Sequence, residues 1–210
     1  MPLSAAAVRR PVLADLIAAP TARTRIIARD VALVASGVVF VALLAKVSFF
    51  IGPVPVTGQT LGVIAVGAAL GSRRGAAALT TYLLAGLAGA PVFAGVVAGP
   101  AYVLAPSFGF VLGFIPAAFL AGWFAERAWD RNAVLAFVGF VAASVVPFLV
   151  GVPYMAMILG PVLGGDISFA GVLDAGVWPF IVPGLIKAAV AAALIPAAWV
   201  GVRAFERRTR

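Results

Sequence analysis

The chain has 210 residues, of which 64% are hydrophobic and only 10% are charged. Soluble domains carry about 25% charged residues, so this composition excludes a soluble globular protein and indicates an integral membrane protein. The absence of His and Cys excludes thiol and imidazole catalysis and Cys/His metal sites, and no metal or cofactor is expected. The net charge is +8. We attribute it to arginines in short loops, which set the orientation of membrane helices, and not to nucleic-acid binding.

Residues 1–29 are polar, contain five arginines and predict a cytoplasmic N-terminal arm. A signal peptide has a charged region, then an apolar run, then a cleavage site of small residues. The clear apolar run of this chain begins only after Arg29, so the segment does not have that order. A short helix is expected around Val12–Ile17, and one interpretation places the arm on the membrane surface.

Six apolar runs follow and lack the two-residue alternation of barrel strands, so each predicts a helix. They cover residues 30–51, 58–72, 75–90, 107–125, 133–158 and 176–201. We therefore predict an all-α membrane protein with a six-helix transmembrane domain over 30–201 and a cytoplasmic basic tail over 202–210. The second and third runs are shorter than the about 30 Å of a bilayer core, which predicts an outer cavity covered by loops 51–57 and 91–106.

The placement of charge supports this count of spans. With a cytoplasmic N-terminus, all thirteen arginines fall in cytoplasmic segments. The only charged residues in the outward loops 51–57, 91–106 and 159–175 are Asp166 and Asp174. The sequence therefore predicts that both termini lie in the cytoplasm, at the cell inner membrane.

The two lysines are the only basic residues inside apolar runs. At the helical rise, Lys46 and Lys187 lie about 24–26 Å from the cytoplasmic ends of their helices, in the outer third of the membrane. For Lys46 the favoured interpretation is snorkelling to the interface. Lys187 is favoured as the contact of an anionic ligand, because an unpaired buried ammonium is costly; the alternative is a structural pair with Asp174 or Asp166.

Three further patterns bear on function. In Gly52-Pro53-Val54-Pro55-Val56-Thr57-Gly58-Gln59-Thr60 the prolines favour extended backbone, Thr57 or Gly58 suits a helix cap, and Gln59 faces either the cavity or a neighbouring backbone. Aromatic residues near the outer side form either an interfacial belt or cavity walls. Ala28, Ala32 and Ser36 recur at four-residue spacing, which indicates either a docking stripe for another membrane protein or chance in an Ala-rich chain.

Several function classes are excluded by missing motifs. There is no Gly-x-x-x-x-Gly-Lys-Ser/Thr loop for ATP and no Ser–His–Asp set, so the chain is not expected to be an enzyme. Its carboxylates do not pair within an apolar run. Energised transport would therefore need a partner protein or a coupling ion.

The sequence resembles the BioY family, the biotin-specific S components of energy-coupling-factor (ECF) transporters. The resemblance rests on the order and spacing of several motifs over about residues 30–125, with a looser match ending in Leu185-Ile186-Lys187. These motifs are the segment 52–60, Gly71-Ser72-Arg73-Arg74-Gly75, Tyr82-Leu83-Leu84-Ala85-Gly86, Pro91-Val92-Phe93-Ala94-Gly95, Ala105-Pro106-Ser107-Phe108-Gly109-Phe110 and Gly113-Phe114.

The resemblance implies a six-helix protein that binds one vitamin with high affinity near the outer face. It also implies docking, through the first span, on a transmembrane coupling protein with two attached ATPases, whose ATP turnover topples the S component. Some similar proteins are thought to transport biotin without ATPases. Membrane lipid is the remaining expected partner.

Biotin, as the transported ligand, is matched to residues through this resemblance. Its carboxylate is assigned to Lys187, its ureido group to Gln59 and Thr57, and its ring and chain to Tyr82, Phe93 and Phe110. The family usually has an acidic residue three positions before the lysine, where this chain has Gly184, and Asp174 is the expected substitute.

Two other transport functions stay open at this point. One is a solitary secondary carrier driven by an ion gradient. The other is an S component for a different vitamin, such as thiamin or riboflavin, in which Lys187 has no clear role because those ligands lack a carboxylate.

Overall fold

A computed structural model describes residues 9–17, 22–50, 52–164 and 168–208. The described chain is mostly helical, as predicted. Its seven α-helices are α1 (Arg23–Lys46), α2 (Gln59–Leu70), α3 (Ser72–Leu87), α4 (Phe108–Ala125), α5 (Ala133–Met157), α6 (Phe169–Gly176) and α7 (Trp178–Arg208). Short 3-10 helices cover Leu13–Leu16, Pro100–Leu104 and Trp129–Arg131, and a π-helical turn, Ile158–Val162, continues α5.

Two strands, which the sequence did not predict, close the connection between α1 and α2. Strand β1 (Ser48–Phe49) pairs antiparallel with β2 (Val56–Thr57), in a register that sets Ser48 opposite Thr57 and Phe49 opposite Val56. The hairpin delivers the chain to α2 at a fixed place, because Gly58 N–H also donates to the Val47 carbonyl at 2.8 Å.

The helix boundaries differ from the predicted runs most clearly at α1, α6 and α7. Helix α7 continues to Arg208, through most of the segment 202–210 that was predicted as a separate tail. Helix α1 begins at Arg23 and not at residue 30, because the polar turns before Asp30 extend the same helix. The predicted loop 159–175 contains α6, which Ser168 caps by accepting a hydrogen bond from Gly171 N–H at 3.2 Å. Helix α6 also buries Val172 against the bundle, so that segment is partly packed helix.

Among the described residues, four helical segments are long and apolar enough to cross a membrane. They are Arg23–Lys46, Phe108–Ala125, Ala133–Val162 and Phe169–Phe205. Helix α2 is apolar but has 12 residues, and α3 has 16. The chain is thus a multi-pass membrane protein by length and composition, and the count of six spans stays a prediction.

Close packing joins α2, α3 and α4 through glycines. A side chain at Gly67 would overlap the Ala118 carbonyl, and one at Gly122 would overlap the backbone at Ser72. These helices therefore touch at backbone distance, as small residues permit in membrane bundles. Helix α1, by contrast, buries only Gly37, Val41 and Ala45.

We call the end of the bundle where α3 begins and α4 ends the basic end, and the opposite end the cavity end. At the basic end Ser72 N–H donates to Glu126 Oε1 at 2.8 Å, joining α3 to the end of α4. Arg74 of α3 bonds Asp15 of the arm at 2.8 Å, and Val12 of the arm is fully buried. The described part of the N-terminal arm therefore packs against the bundle itself, with a 3-10 helix where a short helix was expected.

Candidate functional site

A cavity lies at the cavity end, between β2, the first turn of α2, α4, α5 and α7. Its empty volume is about 480 Å³, including space that opens to the outside. Its walls consist of Val54, Pro55, Thr57, Gln59, Thr60, Ala94, Tyr102, Ser107, Phe110, Val111, Phe114, Pro147, Phe148, Phe180 and Lys187. Of the seven ligand-binding residues that the sequence predicted, Thr57, Gln59, Phe110 and Lys187 line this cavity.

Thr57 and Gln59 form the polar corner of the cavity. The Thr57 hydroxyl donates to Gln59 Oε1 at 2.8 Å and accepts from the Gln59 backbone N–H at 3.2 Å. Both residues are buried. The prolines at 53 and 55 and the pairing of β2 hold this segment extended up to Gly58, so that α2 begins with its amide side chain inside the protein.

Tyr82 supports this corner without lining the cavity. Its hydroxyl accepts from Gln59 Nε2 at 2.7 Å and donates to the Val92 carbonyl at 2.8 Å. Since Tyr82 is fully buried, its hydroxyl is a positioning group that joins Gln59 to the loop 91–106.

Phe93 also lies behind the wall. Its ring stacks on Tyr102, which does line the cavity, with centroids 4.0 Å apart, and meets Tyr82 edge-on at 5.5 Å. Gly86 makes room for this ring, because a side chain there would overlap Phe93. The loop 91–106 therefore covers this region, as predicted, through an inserted aromatic residue.

An aromatic wall closes the cavity on the side of α5 and α7. Phe110, Phe148 and Phe180 contact one another with ring centroids 5.6 to 6.2 Å apart. Flat apolar walls of this kind suit the ring and hydrocarbon part of a small ligand.

Lys187 is the one charged residue in the cavity wall among the described residues. None of the described carboxylates lies within 4.0 Å of its ammonium. Asp174 is exposed on α6 and does not pair with Lys187. Asp166, the other predicted partner, lies outside the described residues.

Lys46 has a different environment from Lys187. Its Nζ donates to the Phe93 carbonyl at 3.0 Å, and its residue is exposed at the end of α1. This position agrees with a side chain that reaches the interface, and it also joins α1 to the loop 91–106.

Three cavity residues that the sequence did not predict as ligand contacts add to the site. Tyr102 and Ser107 share a hydrogen bond of 3.0 Å between their hydroxyl oxygens, and Phe148 belongs to the aromatic wall. Ser107 belongs to the motif 105–110 and Tyr102 lies three residues before it, so the sequence pattern already drew attention to this segment. Phe148 sits in a uniformly apolar run, where nothing in the pattern distinguishes it.

The predicted docking stripe lies on the outside of the bundle. Ala28, Ala32 and Ser36 are all exposed on α1, and the Ser36 hydroxyl donates to the Leu33 carbonyl of the same helix at 2.8 Å. The stripe is therefore accessible to another membrane helix.

Chemically, the cavity combines one ammonium, one amide, several hydroxyls and aromatic walls. This set suits a small ligand with an acidic group, a polar group that both donates and accepts hydrogen bonds, and an apolar body. Within the part of the chain that the structure describes, no group of three Asp or Glu residues is placed to hold a metal ion.

Comparisons with known proteins identify the family and the fold of this chain. The biotin transporter BioY of Rhizobium etli is 37% identical over 177 residues, covering 81% of this chain and 91% of that protein. The probable biotin transporter BioY of Pyrococcus horikoshii is 35% identical over 164 residues, covering 78% and 92%. The crystal structure of the S-component for biotin from an ECF-type ABC transporter superposes with a TM-score of 0.70 at 20% identity, covering 85% of this chain and 94% of that one, and shows the same fold. The sequence model of the BioY family matches residues 15–204, and the chain belongs to that family.

Proposed function

We propose that this protein takes up biotin, which it binds in the cavity as the S component of a modular transporter. It is a transport protein and not an enzyme. The observation that carries the proposal is the Lys187 ammonium, which faces the cavity without a described carboxylate partner. An unpaired ammonium in apolar surroundings favours an anionic ligand, because burial of a single charge is costly.

In this proposal the biotin carboxylate pairs with Lys187. The ureido group exchanges hydrogen bonds with Thr57 and Gln59, and the thiophane ring and chain pack on Phe110 and Phe180. Tyr82 and Phe93 contribute indirectly, because Tyr82 holds the Gln59 amide and Phe93 packs against Tyr102 of the cavity wall. The residues support the assignment because the polar corner, the ammonium and the aromatic walls all line one cavity.

The proposed orientation has six spans and both termini in the cytoplasm. The basic end then faces the cytoplasm, the arginines lie inside, and the cavity faces outward. The resemblance of the fold to the biotin S component supports a count of six, with the two short helices α2 and α3 included.

We further propose that an ECF coupling protein and its ATPases supply the energy. The exposed stripe of Ala28, Ala32 and Ser36 on α1 is the proposed docking surface. An ion-driven carrier is less well supported, because none of the described carboxylates lines the cavity, where a coupling proton or ion would bind. Biotin uptake in cells that lack the coupling protein and ATPases, abolished by a proton uncoupler, would contradict this part of the proposal.

Replacement of Lys187 by Met tests the binding site. The variant keeps an unbranched side chain of similar length and removes the charge. A charge-assisted hydrogen bond contributes about 1.5–3 kcal/mol, so labelled biotin should bind roughly 10- to 150-fold more weakly. Biotin methyl ester has no carboxylate, so its affinity should differ much less between wild type and K187M. The removal of the carboxylate and the removal of the ammonium are then non-additive, which identifies these two groups as a pair.

The variant K46M is the matched control. It removes the other lysine of the chain, at the same end of the bundle and outside the cavity wall. Because Lys46 bonds the Phe93 carbonyl of the covering loop, we expect K46M to lose less biotin affinity than K187M and to lose the same factor for biotin and for its methyl ester. Unchanged biotin affinity in K187M, or equal losses of acid and ester, would remove Lys187 from the site.

A further inference from the structure

A second concavity runs along the outside of the bundle between α5 and α7. Its empty volume is about 740 Å³, including space open to the outside. Its walls are Val141, Ser144, Val145, Phe148, Val177, Phe180, Ile181, Gly184 and Leu185. The single hydroxyl in this set, on Ser144, donates to the Phe140 carbonyl at 2.8 Å, so the groove presents apolar groups.

The groove and the cavity are separated by side chains. Phe148 and Phe180 line both, and of the described residues they are the only two that do. Their rings meet edge-on with centroids 5.9 Å apart. A partition of two rings opens when one ring is removed or rotated, whereas a wall of backbone would not.

The groove stays open next to the cavity because of Gly184. A Cβ at this position would meet no atom within 4 Å, so no side chain fills the space. Gly184 lies three residues before Lys187 on α7, so the backbone positions of a groove residue and of the charged cavity residue are about one helical turn apart. An apolar chain that passes between the two rings would therefore contact the apolar walls of the groove.

We infer that Phe148 and Phe180 set the upper length of the ligand, and that the α5–α7 groove is an accessory subsite for the alkyl chain of an extended ligand. The inference rests on the proposed binding of biotin. It identifies the two rings as specificity-determining residues, because they exclude from the cavity any chain that would have to continue into the groove.

The test compares two amides of biotin that differ only in chain length. Competition with labelled biotin gives the Kd of the n-hexyl amide and of the methyl amide, and the measured quantity is their ratio. In wild type we expect the hexyl amide to bind more weakly than the methyl amide. In F148A and in F180A we expect the ratio of hexyl to methyl Kd to fall by at least about tenfold, since each buried methylene group contributes about 0.8 kcal/mol.

The control V145A enlarges the groove without touching the cavity wall. It should leave the ratio at the wild-type value, which also accounts for partition of the hexyl chain into detergent or lipid. F148L removes the ring but keeps a large apolar side chain, and it serves if F148A does not fold. A wild-type ratio in all the ring variants that still bind biotin, or the same fall in V145A, would overturn the inference. Failure of wild type to bind biotin itself would instead contradict the proposed function.

Discussion

The hydroxyl of Tyr82 connects the cavity wall to the loop that covers it, and its removal tests whether that connection positions the ligand contacts. The change is Tyr82→Phe, which keeps the ring and its edge-on contact with Phe93. It removes the bond that Gln59 Nε2 donates at 2.7 Å and the bond that Val92 O accepts at 2.8 Å.

The magnitude follows from burial. Gln59 is 4% exposed and Tyr82 is 0% exposed, so water does not replace the lost partner. An unsatisfied buried donor or acceptor costs about 1–3 kcal/mol. The buried group released is the Gln59 amide donor, whereas the Val92 carbonyl belongs to a half-buried residue, so we expect the free energy of unfolding to fall by about 1–3 kcal/mol. The Gln59 amide also loses its fixed orientation, and we expect biotin to bind about tenfold more weakly.

The assay is equilibrium binding of labelled biotin to purified protein, with thermal unfolding of the same samples. The control is Thr81→Val on the same helix. It also removes one hydroxyl, but that hydroxyl belongs to an exposed residue and donates to Ala77 O within α3. If Y82F unfolds earlier yet binds biotin within twofold of wild type, Tyr82 stabilises the fold only, and the reasoning about Gln59 is refuted.

Two more predictions concern the loop and the arm. Gly86→Ala should displace the Phe93 ring and lower the free energy of unfolding by about 1–3 kcal/mol in a denaturation experiment. The control Gly184→Ala, whose added methyl group meets no atom, should change the free energy of unfolding by less than about 1 kcal/mol. Equal effects of the two substitutions would contradict this packing. Burial raises the pKa of the Asp15 carboxyl, but the hydrogen bonds from Arg74 and from the backbone, with the nearby positive charges, outweigh it and hold that pKa below its ordinary value. The arm is therefore stabilised above about pH 4 and loses this contribution as pH falls through the folded-state pKa. The protection factors of the amides in residues 9–17, which compare their hydrogen exchange with that of an unfolded peptide at the same pH, should therefore fall between pH 6 and pH 3. In Asp15→Asn the protection factors should already be lower at pH 6 and should change less with pH; a pH response of the protection factors equal to that of wild type would assign the effect to another group.

Much of the architecture could be predicted because the bilayer makes the pattern simple. Apolar runs bounded by Gly, Pro and Arg gave helices near the observed bounds, as at α4, where the prediction of 107–125 compares with Phe108–Ala125. Lys187 and Gln59 were conspicuous because polar side chains in apolar runs are costly unless they have a role. Both line the cavity.

The remaining features depend on contacts between distant parts of the chain. Phe148 reaches the cavity because α5 packs beside α4 and α7, and one Phe in an apolar run looks like any other. Phe93 was predicted beside the ligand but lies behind Tyr102, because Gly86 leaves a hole that its ring fills. Asp174 was predicted from a loop and is found on α6, whose Ser168 cap is a weak local signal.

If the protein has the proposed orientation, the distribution of tight and loose packing restricts how a bound ligand reaches the cytoplasm. A path from the cavity straight through the bundle would have to separate α2, α3 and α4, which meet at Gly67, Gly75 and Gly122 without room for a side chain. At the basic end the same helices are joined by Glu126 and covered by the arm, with Val12 fully buried. Opening that end costs many close contacts at once, whereas α1 is packed through only three buried residues. In the proposed transporter we therefore expect the core to stay intact and to reorient as one body, driven by a coupling protein bound along the exposed face of α1.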